Sequence, residues 1–127
     1  MSSDAIVQLL VGTGKWSAEA VRMGLRSGFR CEYCDADLLA SVDAYKSWQL
    51  DHIVPTSAGG PDEFSNWAVS CHTCNFCLKR KWDPRSSVGE ADRGGLILAV
   101  RKYVYRERTR ILAELADIRS SLVRLGA

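Results

Sequence analysis

An α+β fold with a metal-stapled middle is what this sequence predicts, and three observations carry the prediction. Two Cys-x-x-Cys pairs, Cys31–Cys34 and Cys71–Cys74, stand about 40 residues apart. Two short segments with strand character lie between them. On both flanks apolar residues return at helical spacing.

The N-terminal flank reads as two helices. Asp4 to Val11 forms a short one, capped by Ser3 or Asp4, and Gly12-Thr13-Gly14 breaks it. Ser17 starts a second through Arg26, with Ala18, Val21 and Leu25 on one face, and Ser27-Gly28 ends it. Phe29 to Leu39 holds the first cysteine pair in a knuckle-like turn. Ser47 to Val54 alternates as a strand, with Trp48, Leu50 and His52 on one face and Gln49, Asp51 and Ile53 on the other. A turn-rich loop from Pro55 to Asn66 follows, and Trp67 to Val69 is a second strand. Cys71 opens a second knuckle that runs into a helix through Lys81, and Pro84 to Gly89 is a linker.

From Ala91 one long helix is expected to Arg124, with Gly94-Gly95 delaying its start. Ile111, Leu115, Ile118, Leu122 and Leu125 form its apolar stripe. Upstream the same register meets Arg108 and Arg101. The distal half is therefore expected to pack against the domain or a partner helix, and the Arg-rich proximal half to be exposed.

Composition narrows the function classes. The chain has 127 residues, 46% hydrophobic and 25% charged, which fits one compact domain and not a disordered segment. No basic leader precedes Asp4, and no apolar run approaches the ~20 residues that cross a bilayer. The expectation is a cytoplasmic protein without membrane contact. There, five cysteines bind metal more readily than they cross-link. Charge is segregated. Residues 31–75 carry one lysine against seven carboxylates, and residues 76–110 carry ten cations against four carboxylates. An acidic centre with a basic flank suits a protein that holds cations and lies on a polyanion, although a solvated helix face gives the same pattern.

Two residues between thiolates let a tight turn aim both sulfurs at one ion, so two such turns supply the four ligands of a tetrahedral Zn²⁺. A four-thiolate shell leaves no open position, so this zinc is structural. A redox dithiol needs one pair within a βαβ unit, and a double-zinc module needs eight ligands where only Cys77, His52 and His72 remain. Cys77 is expected to be a spare thiol, buried or inert, and His72 a surface residue or a phosphate contact.

Between the cysteine pairs run Asp51-His52-Ile53-Val54-Pro55, Gly59-Gly60 and Ser65-Asn66-Trp67, and Asn75 follows the last cysteine. On these elements, over Phe29 to Lys81, the chain resembles the zinc-stapled members of the HNH endonuclease family. The resemblance implies a ββα-metal (His-Me finger) core with a structural zinc, flanked here by the N-terminal helices and the long C-terminal helix. It divides a single domain into a helical segment (1–28), a nuclease core (29–82), and a linker with the C-terminal helix (83–127). It further implies that Asp51 and Asn75 ligate a catalytic divalent cation, Mg²⁺ or Mn²⁺. His52 is then the general base that activates water, and Asn66 orients His52 by bracing the loop.

The chemistry of the residue types agrees. A hard cation prefers the oxygens of Asp51 and Asn75. Histidine as a residue type is neutral and basic near pH 7. Many family members carry a lysine three residues after the final His or Asn, where this chain has Leu78. The strand-contacting cations are therefore taken as a group, Lys79, Arg80 and Lys81, with Arg85 beyond them. Trp82 either stacks on nucleic acid or packs in the core. The expected partner is double-stranded DNA, with a homodimer through the C-terminal helix as an addition. The competing function is a zinc-stabilised nucleic-acid-binding module that does not cleave.

Overall fold

The computed structural model describes residues 3–127. Helix α1 (Ser3–Gly12) and helix α2 (Ala18–Ser27) form the N-terminal flank. Ser17 caps α2 by accepting the Ala20 N–H, and Gly28 closes it at φ 67° in the left-handed region. The expected cap at Ser3 falls on a side chain outside those described, and Asp4 lies inside the first turn. Helix α3 (Val42–Ser47), capped by Ser41, was not anticipated from the sequence. Its Tyr45, with Trp48 and Phe29, surrounds Trp16 at ring separations of 5.7–6.1 Å, and this cluster leads the chain into the sheet.

Strands β1 (Gln49–His52) and β2 (Trp67–Ser70) pair antiparallel, with Asp51 opposite Ala68 and His52 opposite Trp67. The strand alternation holds. Asp51 and Ile53 turn inward, while Leu50 is exposed and His52 is half-buried. The helix after the second knuckle, Thr73–Lys79, is a π-helix, with the Arg80 N–H reaching back five residues to the Asn75 carbonyl at 2.8 Å. Two strands followed by this helix make the ββα core, in an α+β arrangement with helices on both sides. A short helix α4 (Arg85–Val88) occupies the expected linker, and α5 (Arg93–Arg124) is capped by Asp92.

The core lies between the sheet, the knuckles and α5. Met23, Tyr33, Leu38, Ile53, Ala68, Val69, Leu78, Val100 and Val104 are packed with the sulfurs of Cys31 and Cys74 among them. So few large side chains make a small core, which is why a metal staple matters here.

The expectation for α5 is overturned in its proximal half and, as far as packing against this domain goes, in most of its distal half. The proximal half packs, burying Ala99, Val100 and Val104, and three of its arginines (Arg93, Arg101 and Arg108) face inward while Arg106 and Arg110 stay exposed. Arg93 donates to the Glu32 carboxylate at 2.7 Å and the Trp67 carbonyl at 2.9 Å. Arg101 donates to the Glu32 carbonyl at 2.9 Å. Arg108 reaches the Cys74 sulfur at 3.3 Å and the Cys71 sulfur at 3.6 Å. The inward face meets carbonyls, a carboxylate and sulfurs, so guanidinium donors suit it better than apolar groups. Leu115, Ile118, Leu122 and Leu125 continue the helix beyond the core and are exposed. Ile111, the first residue of the stripe, packs against the core cluster, whereas these four side chains do not, so the expected packing against the domain holds at Ile111 and fails beyond it.

The Gly59-Gly60 pair closes the loop after β1 for two different reasons. Gly59 sits at φ 85°. At Gly60 a Cβ would lie 1.9 Å from the Val54 carbonyl oxygen and 2.9 Å from that of Pro55, neither able to yield. Gly60→Ala is expected to lower stability by about 3 kcal/mol, or a melting temperature drop of ~10 °C. Thermal unfolding followed by circular dichroism checks this, and a melting point unchanged within a degree or two refutes the close approach.

Candidate active site

Two knuckles bring four sulfurs together. The γ-sulfurs of Cys31, Cys34, Cys71 and Cys74 all lie within 4.8 Å of one another, and those of Cys34 and Cys71 are 3.7 Å apart. Four sulfurs about 2.3 Å from a zinc ion define a tetrahedron with edges of roughly 3.8 Å, so the cluster fits Zn²⁺. Backbone N–H groups of Tyr33 and Cys74 point at the sulfurs of Cys31 and Cys71, each at 3.4 Å. Hydrogen bonds within the cluster draw the Cys34 and Cys71 thiols down and push Cys31 and Cys74 up, so the four sulfurs share their protons, which a bound metal would displace. Burial works against the charge of Arg108, but its bond to Cys74 and the nearby thiolates raise its pKa overall. A zinc held by four thiolates would carry net negative charge, which Arg108 on α5 is placed to offset.

The knuckle residues also do the joining. Glu32 accepts the Val69 N–H at 2.7 Å, pairs with Arg93 at 2.7 Å, and lies 3.9 Å from Arg26 on α2. Tyr33 donates its hydroxyl to Asp51 Oδ2 at 2.6 Å. Burial first, and the Asp51 charge second, push the Tyr33 phenol well above its ordinary range, so it stays a donor.

Asp51 is only 7% exposed. Its Oδ2 also takes the Lys79 ammonium at 2.9 Å, while Oδ1 meets no protein donor and is not sealed from solvent. Lys79 was expected among the nucleic-acid contacts. It is 1% exposed, binds Asp51 and the His52 carbonyl at 3.1 Å, and cannot reach a strand. The π-helix explains this. Each residue advances roughly 80° instead of the 100° of an α-helix, so the fourth residue after Asn75 points about where the third otherwise would. Lys79 thus takes the direction that Leu78 holds in sequence count.

His52 turns to the opposite face of β1. Its Nε2 lies 2.8 Å from Asp62 Oδ1, which also accepts the Trp67 indole N–H at 2.8 Å. The bond to His52 is the main cause holding the Asp62 carboxyl below the usual carboxylate range, with Trp67 second. With Nε2 donating, Nδ1 keeps its lone pair, and it meets no protein partner. Sequence reasoning missed Asp62, because an aspartate after Gly-Pro reads as a turn residue.

Asn66 is buried and grips the loop that leaves His52. Its Oδ1 accepts the Val54 N–H at 3.0 Å, and its Nδ2 donates to the carbonyls of Val54 at 3.0 Å and Pro61 at 2.9 Å. That fixes both ends of the segment between His52 and Asp62, without Asn66 touching the imidazole. Asn75 lies one π-turn before Lys79 and donates Nδ2 to Gln49 Oε1 at 2.7 Å, which leaves its amide oxygen free to accept. Gln49 in this orienting position was also not foreseen.

Leu50, Asp51, His52, Pro55, Thr56 and Ser57 line a cleft of about 130 Å³ together with Arg80 and Lys81. Arg80 and Lys81 also wall an adjoining cavity of about 450 Å³ with Asn75 and Phe76. So Asp51 and His52 share one cleft and Asn75 opens on its neighbour. Arg80 sits at φ 51°, ψ −120°, a conformation that favours glycine, so its position there is strained. Arg85 does not join the cleft. It is tied to Asp83 at 2.9 Å, to Glu90 at 3.5 Å and to the Ala58 carbonyl at 2.8 Å. Trp82 packs on Tyr103 with ring centres 4.2 Å apart, which settles it in the core. Cys77 and His72 are both exposed, so Cys77 is not the buried thiol that was one expectation.

Residues 31–81 match a family model, described as HNH endonuclease. No curated protein and no solved structure matches the chain. Among the described residues, no helix is long and apolar enough to cross a membrane.

Proposed function

We propose, from the premise that residues 31–81 form an HNH endonuclease domain, that this chain is a metal-dependent endonuclease hydrolysing DNA phosphodiester bonds. One observation carries the proposal. His52, whose imidazole is held by Asp62, lines one cleft with Asp51 and the two exposed cations Arg80 and Lys81. A structural zinc would hold this frame, and the catalytic cation would be Mg²⁺ or Mn²⁺, with the free oxygen of Asp51 and the amide oxygen of Asn75 as its protein ligands. When bound, that cation supplies Lewis-acid stabilisation of the phosphorane-like charge and of the leaving 3′ oxygen.

The chain's own residues do the rest. Arg80 and Lys81 bind the phosphate backbone. Asp62 holds the imidazole with Nε2 protonated, so that Nδ1 takes the proton of a water. The water oxygen forms the new bond to phosphorus as the bond to the 3′ oxygen breaks, and that oxygen takes a proton from solvent. The products are a 5′-phosphate and a 3′-hydroxyl. Tyr33 and Lys79 fix Asp51, and Asn66 keeps the loop carrying Asp62 in place. Double-stranded DNA as substrate, and a second copy paired along the distal stripe of α5, belong to the same proposal.

The Lys79 ammonium already neutralising Asp51 favours the alternative, a zinc-stabilised binding module without cleavage. The free Oδ1 and the oriented imidazole favour the enzyme. Supercoiled plasmid incubated with zinc-loaded protein and Mg²⁺ or Mn²⁺ decides between them. The enzyme converts plasmid to nicked or linear form, and a folded protein that binds plasmid but leaves it supercoiled is the module. Asp62→Asn is expected to slow conversion roughly ten- to a hundredfold by freeing the imidazole to rotate. Because the Asp62 pKa is depressed, its orienting charge is present above the ordinary carboxylate range and is lost only as pH falls below it. The rate difference between wild type and Asp62→Asn therefore persists through mildly acidic pH and narrows below that. A variant as fast as wild type removes Asp62 from the mechanism.

A further inference from the structure

Phe76 has no structural use that its position explains. The π-helix buries Cys74, Leu78 and Lys79 on its inner side, while Phe76 stands 66% exposed on the outer side. One face of its ring is covered by the His72 imidazole, stacked with centroids 5.0 Å apart and planes 16° from parallel. Such a stack between neighbouring helical turns is ordinary in itself. What distinguishes this one is its setting, because the same phenyl ring lines the 450 Å³ cavity with Asn75, Arg80 and Lys81. Arg80 and Lys81 are also the wall of the cleft that contains His52 and Asp51. An aromatic plate, two cations and an amide thus sit one wall away from the point where a phosphate would be cut.

Aromatic rings beside cations that track a phosphate backbone are the chemistry of nucleobase stacking. We propose that the Phe76–His72 plate, with Arg80 and Lys81, is a subsite for one nucleobase next to the scissile phosphate, and that it selects DNA in which that base is unpaired. This rests on the nuclease reading above and names its substrate class. A base in a continuous duplex must first be unstacked and unpaired to lie on Phe76, whereas a bulged or single-stranded base bears little of that cost. Arg80 and Lys81 hold the phosphates on either side, so the stacked base and the reacting phosphorus belong to one strand. The backbone of Arg80, held in a glycine-favouring conformation, keeps its side chain in the wall common to both cavities.

The test uses zinc-loaded protein without Mg²⁺ or Mn²⁺, so that binding is read apart from cleavage. Fluorescence anisotropy compares a labelled continuous duplex with the same duplex carrying one bulged thymine. Wild type is expected to bind the bulged duplex about tenfold more tightly. In Phe76→Ala the ratio falls to about one, and in Phe76→Tyr the preference is retained. Zinc content and thermal unfolding show that both variants are folded. Equal affinity of wild type for the two duplexes overturns the subsite alone, since plasmid cleavage would still support the nuclease. A preference unchanged in Phe76→Ala overturns the role of the ring. Folded wild type that binds neither duplex overturns the subsite, and the plasmid assay with Mg²⁺ or Mn²⁺ then decides the nuclease reading separately.

Discussion

Cys31→Ser is expected to leave the chain without a cooperative thermal transition, and stripping zinc from the wild type with a strong chelator to do the same. The magnitude follows from comparing two free energies. A four-cysteine zinc site contributes on the order of 10–16 kcal/mol, while a domain of this size has about 5–15 kcal/mol of net stability. Here the sulfurs of Cys31 and Cys74 lie inside the core cluster, not on its edge. The knuckles also anchor everything else. Glu32 joins α2, β2 and α5, Tyr33 meets Asp51, and Arg108 holds α5 to the sulfurs. Loss of the ion leaves four crowded sulfurs that take up protons and have nothing to bridge them, and the contacts between layers go with it. Circular dichroism melts with zinc quantification check this. An intact transition in zinc-free protein would sink the idea of the metal as the fold's staple.

His52→Ala is expected to reduce plasmid cleavage by roughly a thousandfold, within the range of general-base removal, and to leave zinc content and melting temperature near wild type. His52 points away from the core, toward an exposed carboxylate, so its loss opens no cavity among the packed residues. The combination of a silent fold and a silent enzyme is what separates a base from a structural histidine. Cleavage by His52→Ala at the wild-type rate would exclude the imidazole as the group that receives the proton.

The parts of this molecule that were legible in the sequence are those set by local spacing. Two residues between cysteines dictate a sulfur-presenting turn, and strand alternation places Asp51 and His52 on opposite faces. A Gly-Gly pair needs little context to be read as a close turn. The parts that were not legible depend on partners far away in the chain. Arg93, Arg101 and Arg108 return on one face of α5, and hydropathy assigns such a face to solvent. Glu32, the Trp67 carbonyl and two cysteine sulfurs make it an interior face instead. Lys79 was placed on the surface because counting assumed an α-helix. A π-turn of the same residues turns its ammonium onto Asp51. Asp62 and Gln49 each hold a neighbouring polar group in one orientation, a role visible only when both side chains have coordinates.

Helix α5 is continuous over its 32 residues, but its energetics are not. Its turns around Val100 and Val104 are shielded by the ββα core, and their amide hydrogen bonds open only with the domain. Beyond Ile111 the remaining turns, about 20 Å of helix, are exposed and meet no core side chain among the described residues. They stand by intrinsic propensity and local pairs, a marginal state for a short helix in water. The element is one rod by geometry and two cooperative units by thermodynamics, with the frontier just past the arginine that touches the sulfurs.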